Sequence, residues 1–93
     1  MDNLKYKWSK TDDIVAFYLY KSGSLKEKEL ASKKLGIKLS SMKMRINNFA
    51  FLATNKGLSN FSKQSKAVYD SWKDSGLTEL KAEYEKIISL ISS

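Results

Sequence analysis

The sequence predicts an all-α fold: a small single-domain bundle of about five helices that includes a helix-turn-helix-like unit. Three observations carry this reading. The 93 residues contain no proline and only four glycines, so little in the chain interrupts a helix. Apolar residues recur at three- and four-residue steps through each long segment, the period of a helix with one buried face. A chain of this length closes one core and no more, and 42% apolar residues with two Trp, five Tyr and four Phe are enough to fill it. Residues 1–93 are therefore read as one domain, without repeat, linker or low-complexity tract.

The elements follow in order. Ser9 or Thr11 is placed to cap a first helix whose opening turn holds Asp12 and Asp13, acids that suit the positive end of a helix dipole. The run IVAFYLY (14–20) is apolar on nearly every side, which makes this helix the buried centre, and KSGS stops it. A second helix, about 25 to 35, turns Leu25, Leu30, Ala31 and Leu35 inward and Lys26, Lys28, Lys33 and Lys34 outward, with Gly36 as its stop. A third begins near Ser40 or Ser41 and carries Leu39, Met42, Ile46, Phe49 and Ala53 as an inward stripe. At about 100° per residue the opposite face holds Ser40, Met44, Asn47, Asn48 and Phe51, with Lys43 and Arg45 on the flanks. GLSN (57–60) reads as a turn capping a fourth helix that runs to about Trp72, with Val68, Tyr69 and Trp72 inward. After DSG, Leu77, Leu80, Tyr84, Ile87 and Ile91 form the stripe of a fifth helix, about 78 to 91. That stripe spans barely two heptads, too short for a coiled coil, so a monomer is favoured.

The net charge of +7 is unevenly placed. Residues 21–66 hold eleven cations against Glu27 and Glu29 alone, and no acid occurs between Glu29 and Asp70. Such a distribution is expected where a chain faces a polyanion; a solvated lysine-rich face is the plainer reading of the same pattern. LASKKLGIKLSSMKMRINNF has the outline of a helix-turn-helix, whose second helix enters the major groove of DNA. In that helix Ser40, Ser41 and Lys43 suit phosphates or base edges, Arg45 suits a phosphate or guanine, and Asn47 or Asn48 matches the donor and acceptor of adenine. Lys56, Lys63 and Lys66 extend the cationic track. Met44 and Phe51 are apolar on the same face. A covering element is the plainer account of Phe51, whereas Met44 is as well suited to a pyrimidine methyl group. Tyr6 and Trp8 are read mainly as packing aromatics ahead of the first helix, with base stacking as the alternative.

The segments DDIVAFYLY after Trp8, SSMKMRINNF and GLSNFSKQSKAVYDSW together resemble the N-terminal domain of McrA-type modification-dependent HNH endonucleases. The likeness covers about residues 8–72 and leaves the C-terminal helix outside it. It implies a module that binds double-stranded DNA and senses modified cytosine, using Lys43, Met44, Arg45 and Asn48 on the third helix and Ser59, Asn60, Ser62 and Lys63 in the turn. An HNH nuclease needs histidine, and this chain has none; the resemblance thus implies a reader without the cutter.

Other chemistry has little to work with. Without His or Cys, most metal sites and nucleophile-base pairs are gone. Asp12/Asp13, Glu27/Glu29 and Glu79/Glu83/Glu85 sit at helix starts or on solvated faces, where acids serve the dipole or pair with nearby lysines. The expectation is a non-enzyme with no cofactor and no metal. No apolar run approaches the roughly 18 residues of a membrane span, and MDNLKYKWSK lacks the apolar core of a signal peptide; the expected location is cytoplasmic, off the membrane. The leading functional reading is a double-stranded DNA-binding module that prefers methylated or otherwise modified cytosine. Its rival is a small, phage-encoded type of interaction protein that inhibits a restriction or other nucleic-acid enzyme, with the C-terminal helix as its protein-binding surface.

Overall fold

The computed structural model of the protein describes residues 8–54 and 63–92. They form α1 (Lys10–Ser22), α2 (Leu25–Leu35), α3 (Leu39–Thr54), α4 (Lys63–Trp72) and α5 (Leu77–Ser92), with no strand among the described residues. The all-α bundle expected from periodicity is the fold observed.

Local chemistry sets the helix ends. Ser9 caps α1: its hydroxyl accepts the Asp12 backbone N–H at 3.2 Å, and the Asp12 carboxylate accepts the Ser9 N–H at 2.9 Å. This reciprocal capping box satisfies two donors that a helix start leaves open. Ser24 and Glu27 repeat the arrangement at the start of α2. Between them, Gly23 lies so close to α1 that a Cβ there would sit 2.7 Å from the Leu19 Cα. At the far end of α2, Gly36 adopts the left-handed conformation at φ 73°, ψ 29°. The Ile37 N–H then donates to the Ser32 carbonyl at 2.9 Å while the Ile37 side chain is buried, a closure that turns the chain into α3 within three residues.

α1 is the centre of the molecule. Every residue from Asp12 to Leu19 is buried, and α2, α3, α4 and α5 all pack on it. Contacts advance in step along three of these helices. Asp13 of α1 meets Arg45 of α3 and Ser65 of α4. One turn later Phe17 meets Phe49 and Tyr69, at ring-centroid distances of 5.2 and 5.8 Å. Another turn on, Tyr20, Ala53 and Lys73 share one cleft. α1, α3 and α4 therefore lie side by side and point the same way. On the other flank α5 buries Leu80, Tyr84 and Ile87. Tyr84 stacks on Tyr18 at 4.2 Å, and the Tyr18 hydroxyl donates to Glu27 at 3.1 Å, which ties α1, α2 and α5 together. Burial, then the nearby Glu27, Tyr18 and Glu85, push the Tyr84 phenol up to about 12. Tyr18 is raised as well, by burial and by its hydrogen bond to Glu27.

Several inward assignments change. In α2, Ala31 is fully buried and Leu35 packs on the core, but Leu25 and Leu30 are exposed. Five residues turn a helix by about 140° beyond a full revolution, so Leu25 and Leu30 fall on opposite sides of the Ala31 stripe. In α5 the stripe holds only at its middle, with Leu77 and Ile91 exposed. The residues of α5 that pack on the core run from Leu80 to Ile88, and Leu77 and Ile91 lie beyond that stretch toward the two ends of the 16-residue helix. Ala53 of α3 is exposed as well, at the open cleft it shares with Tyr20 and Lys73.

Candidate nucleic-acid interface

The outward face of α3 borders a carboxylate that the sequence reading places at a helix dipole. Asp13 is fully buried. An ionised carboxylate taken out of water is costly unless its oxygens are filled, and here four donors fill them. Arg45 Nε donates to Oδ1 at 2.6 Å and Arg45 Nη2 to Oδ2 at 2.8 Å. Gln64 Nε2 donates to Oδ2 at 2.7 Å and Ser65 Oγ to Oδ1 at 3.0 Å. Gln64 Nε2 also donates to the Trp8 carbonyl at 2.9 Å, and the Arg45 guanidinium lies over the Trp8 ring, 4.7 Å from its centroid. Arg45 of SSMKMRINNF and Gln64 and Ser65 at the start of α4 thus meet on one side chain of α1.

This geometry changes the role of Arg45. The sequence put it on the flank of the outward face, available to a phosphate or guanine. In the structure its fork is held by Asp13, its flat face by Trp8, and its side chain is 14% exposed. A bidentate guanidinium-carboxylate pair is strong because both hydrogen bonds are charge-assisted and parallel; freeing Arg45 for a base would strand a buried anion.

The rest of the outward face is where the wheel put it. Ser40, Lys43, Met44 and Asn47 are exposed, Ser41 and Asn48 half-buried. Met44 is 70% exposed, so no other element among the described residues covers it. Trp8, Ser41, Met44, Arg45 and Asn48 line a shallow depression of about 320 Å³. Its floor is the edge of the Asp13 network, and its rim mixes hydroxyl, amide, thioether and indole. Phe51 is half-buried. On α4, Lys63 and Lys66 are exposed. Lys66 pairs with Asp70 one turn on, at 2.8 Å, and that bond holds the Asp70 carboxyl below its usual range. Exposed pairs of this kind are weak, and a phosphate competes for the lysine readily. Lys56, Ser59, Asn60 and Ser62, with the GLSN turn, lie outside the described residues, as does Tyr6.

Three members of the network, Asp13, Gln64 and Ser65, were absent from the sequence-based site. A signal existed for Asp13. It lies one helical turn before Phe17 on a helix read as buried all round, so its side chain points inward and demands a cationic partner. The partners, 32 and more residues away, carry no such mark. Among the described residues no group of three or more His, Cys, Asp or Glu is placed to hold a metal ion, and no described helix is long and apolar enough to cross a membrane.

Fold and site define a small all-helical protein with a polar, acid-poor helix face built on a buried ion pair. Compared with protein families, curated proteins and solved structures, the chain matches no family model, no curated protein and no solved structure.

Proposed function

We propose that the protein binds double-stranded DNA through the outward face of α3, with Met44 and Asn48 at base edges and Ser40, Ser41, Lys43, Lys63 and Lys66 at phosphates. The observation that carries this reading is Met44, 70% exposed at a depression whose other walls are Ser41, Asn48, Trp8 and the paired Arg45. An exposed thioether among amide and hydroxyl groups suits a pyrimidine C5-methyl beside hydrogen-bonding base edges, and no acid lines the depression to repel the backbone. The likeness to McrA-type N-terminal modules adds the preference for modified cytosine. In this mechanism Asp13 touches no DNA; it fixes the rotamer of Arg45 and the start of α4, so that α3 and the α4 lysines meet the duplex as one rigid surface.

Competition binding with matched methylated and unmethylated duplexes tests this. Neutralising about 4 to 6 phosphates gives a log-log salt slope of about −4 to −5, and Met44→Ala narrows the methylated-to-unmethylated ratio without changing that slope. Affinity that does not vary with salt refutes the proposal. A second reading, a protein-directed inhibitor of a nucleic-acid enzyme, draws on α5, where Leu77, Leu90 and Ile91 are exposed; it expects no salt-dependent binding to naked duplex.

A further inference from the structure

A second cleft lies at the other end of the bundle. It measures about 250 Å³ and is lined by Phe17, Tyr20, Lys21, Ala53, Tyr69 and Lys73, where α1, α3 and α4 finish side by side. Phe17, 1% exposed, is its floor. The Tyr20 ring lies within 13° of the Phe17 plane, and the Tyr69 ring is turned 70° from it. A flat ring entering the cleft can stack on one and meet the edge of the other. Lys21 and Lys73 lie on the same aromatic cluster, each ammonium 5.9 Å from a ring centroid, over Phe17 and Tyr69 respectively. A lysine near a helix C-terminus is ordinarily a partner for the dipole. Two of them lining one aromatic-walled cleft, with no acid in its lining and Asp70 the acid near Lys73 outside it, make a site for a planar group carrying about one to two negative charges.

We infer that this cleft binds a nucleotide unit, with the base on Tyr20 and Tyr69 and phosphate between Lys21 and Lys73. Size limits the choice, because drug-sized ligands take about 300–1,000 Å³, so this space holds one ring system and not an extended cofactor. Charge agrees. A phosphomonoester carries about −1.5 to −2 at neutral pH, and a nucleotide within a strand has a phosphate on each side; either balances two ammonium groups. Aromatic faces beside lysines are also the means by which unpaired bases are held without sequence preference. The site is separate from the α3 depression, with no lining residue in common, and does not depend on it.

The test is a titration of the intact chain followed by amide chemical shifts, using thymidine 5′-monophosphate, the oligonucleotide d(T)4 and inorganic phosphate. Saturable shifts at Tyr20, Lys21, Tyr69 and Lys73 with the mononucleotide identify a free nucleotide as the ligand; the same shifts with d(T)4 alone identify an unpaired strand. In either case Lys21→Ala and Lys73→Ala, both at exposed positions, each weaken binding about tenfold, the loss of one charge-assisted contact. The inference is overturned if none of these residues shifts, if inorganic phosphate binds as tightly as the nucleotide, or if both lysine variants bind like the parent chain.

Discussion

Replacing Arg45 by alanine distinguishes a structural ion pair from a DNA-reading residue. The substitution removes both guanidinium bonds to Asp13 and the cation over Trp8, and leaves the carboxylate with Gln64 and Ser65 alone. Breaking a buried pair by removing one partner costs about 3–5 kcal/mol. The two surviving donors place this case near the lower end, about 3 kcal/mol. Small domains have about 5–15 kcal/mol in total, and for a chain of this size each kcal/mol shifts Tm by about 4–8 °C. Arg45→Ala should therefore melt about 12–24 °C below the parent chain when followed by circular dichroism. Asp13→Leu should be comparably damaging, because it buries an unpaired guanidinium. The double variant Asp13→Leu/Arg45→Met should recover much of the loss, since apolar groups of similar volume replace buried ion pairs at little net cost. The coupling energy from this cycle is expected to be about 2 kcal/mol or more. If Arg45→Ala melts within about 1 kcal/mol of the parent, as expected for an exposed pair, yet loses DNA affinity, the structural assignment is wrong and Arg45 is a contact residue.

Two further outcomes follow from the core and the turns. A Tyr84 phenol raised to about 12 stabilises the fold while protonated; its contribution is complete below the unfolded value near 10 and is lost as pH rises through about 12. At about 1.4 kcal/mol per unit this is on the order of 2 kcal/mol. Urea unfolding at pH 9 and at pH 11.5 should show a larger alkaline loss in the parent than in Tyr84→Phe, and equal losses would show that the phenol does not contribute. Gly36→Ala should cost about 1–2 kcal/mol, a purely backbone effect because a Cβ there meets nothing within 4 Å. Gly23→Ala should cost more, since its Cβ would press on the backbone of Leu19; urea midpoints in the reverse order would contradict the turn geometry.

The sequence alone was enough to establish the helices. Absence of proline, Ser9 or Thr11 ahead of the acids of a first turn, Gly36 after Leu35 and the apolar period are local signals, because a helix is closed by bonds between residues four apart. The outward face of α3 was legible for the same reason: once Met42, Ile46 and Phe49 face inward, Ser40, Met44 and Asn47 face out. Tertiary structure decided everything that depends on a second element. It determined which stripe of α2 is buried, the one through Ala31 and Leu35 rather than one through Leu25 or Leu30, because a wheel shows which residues share a side but not which side a neighbouring helix covers. It also determined that Asp13, in sequence an ordinary first-turn acid, is the buried anchor of Arg45, Gln64 and Ser65. Charge in a sequence carries sign but no distance, and at 2.6 Å in a buried setting an opposite charge 32 residues away outweighs the dipole of the acid's own helix.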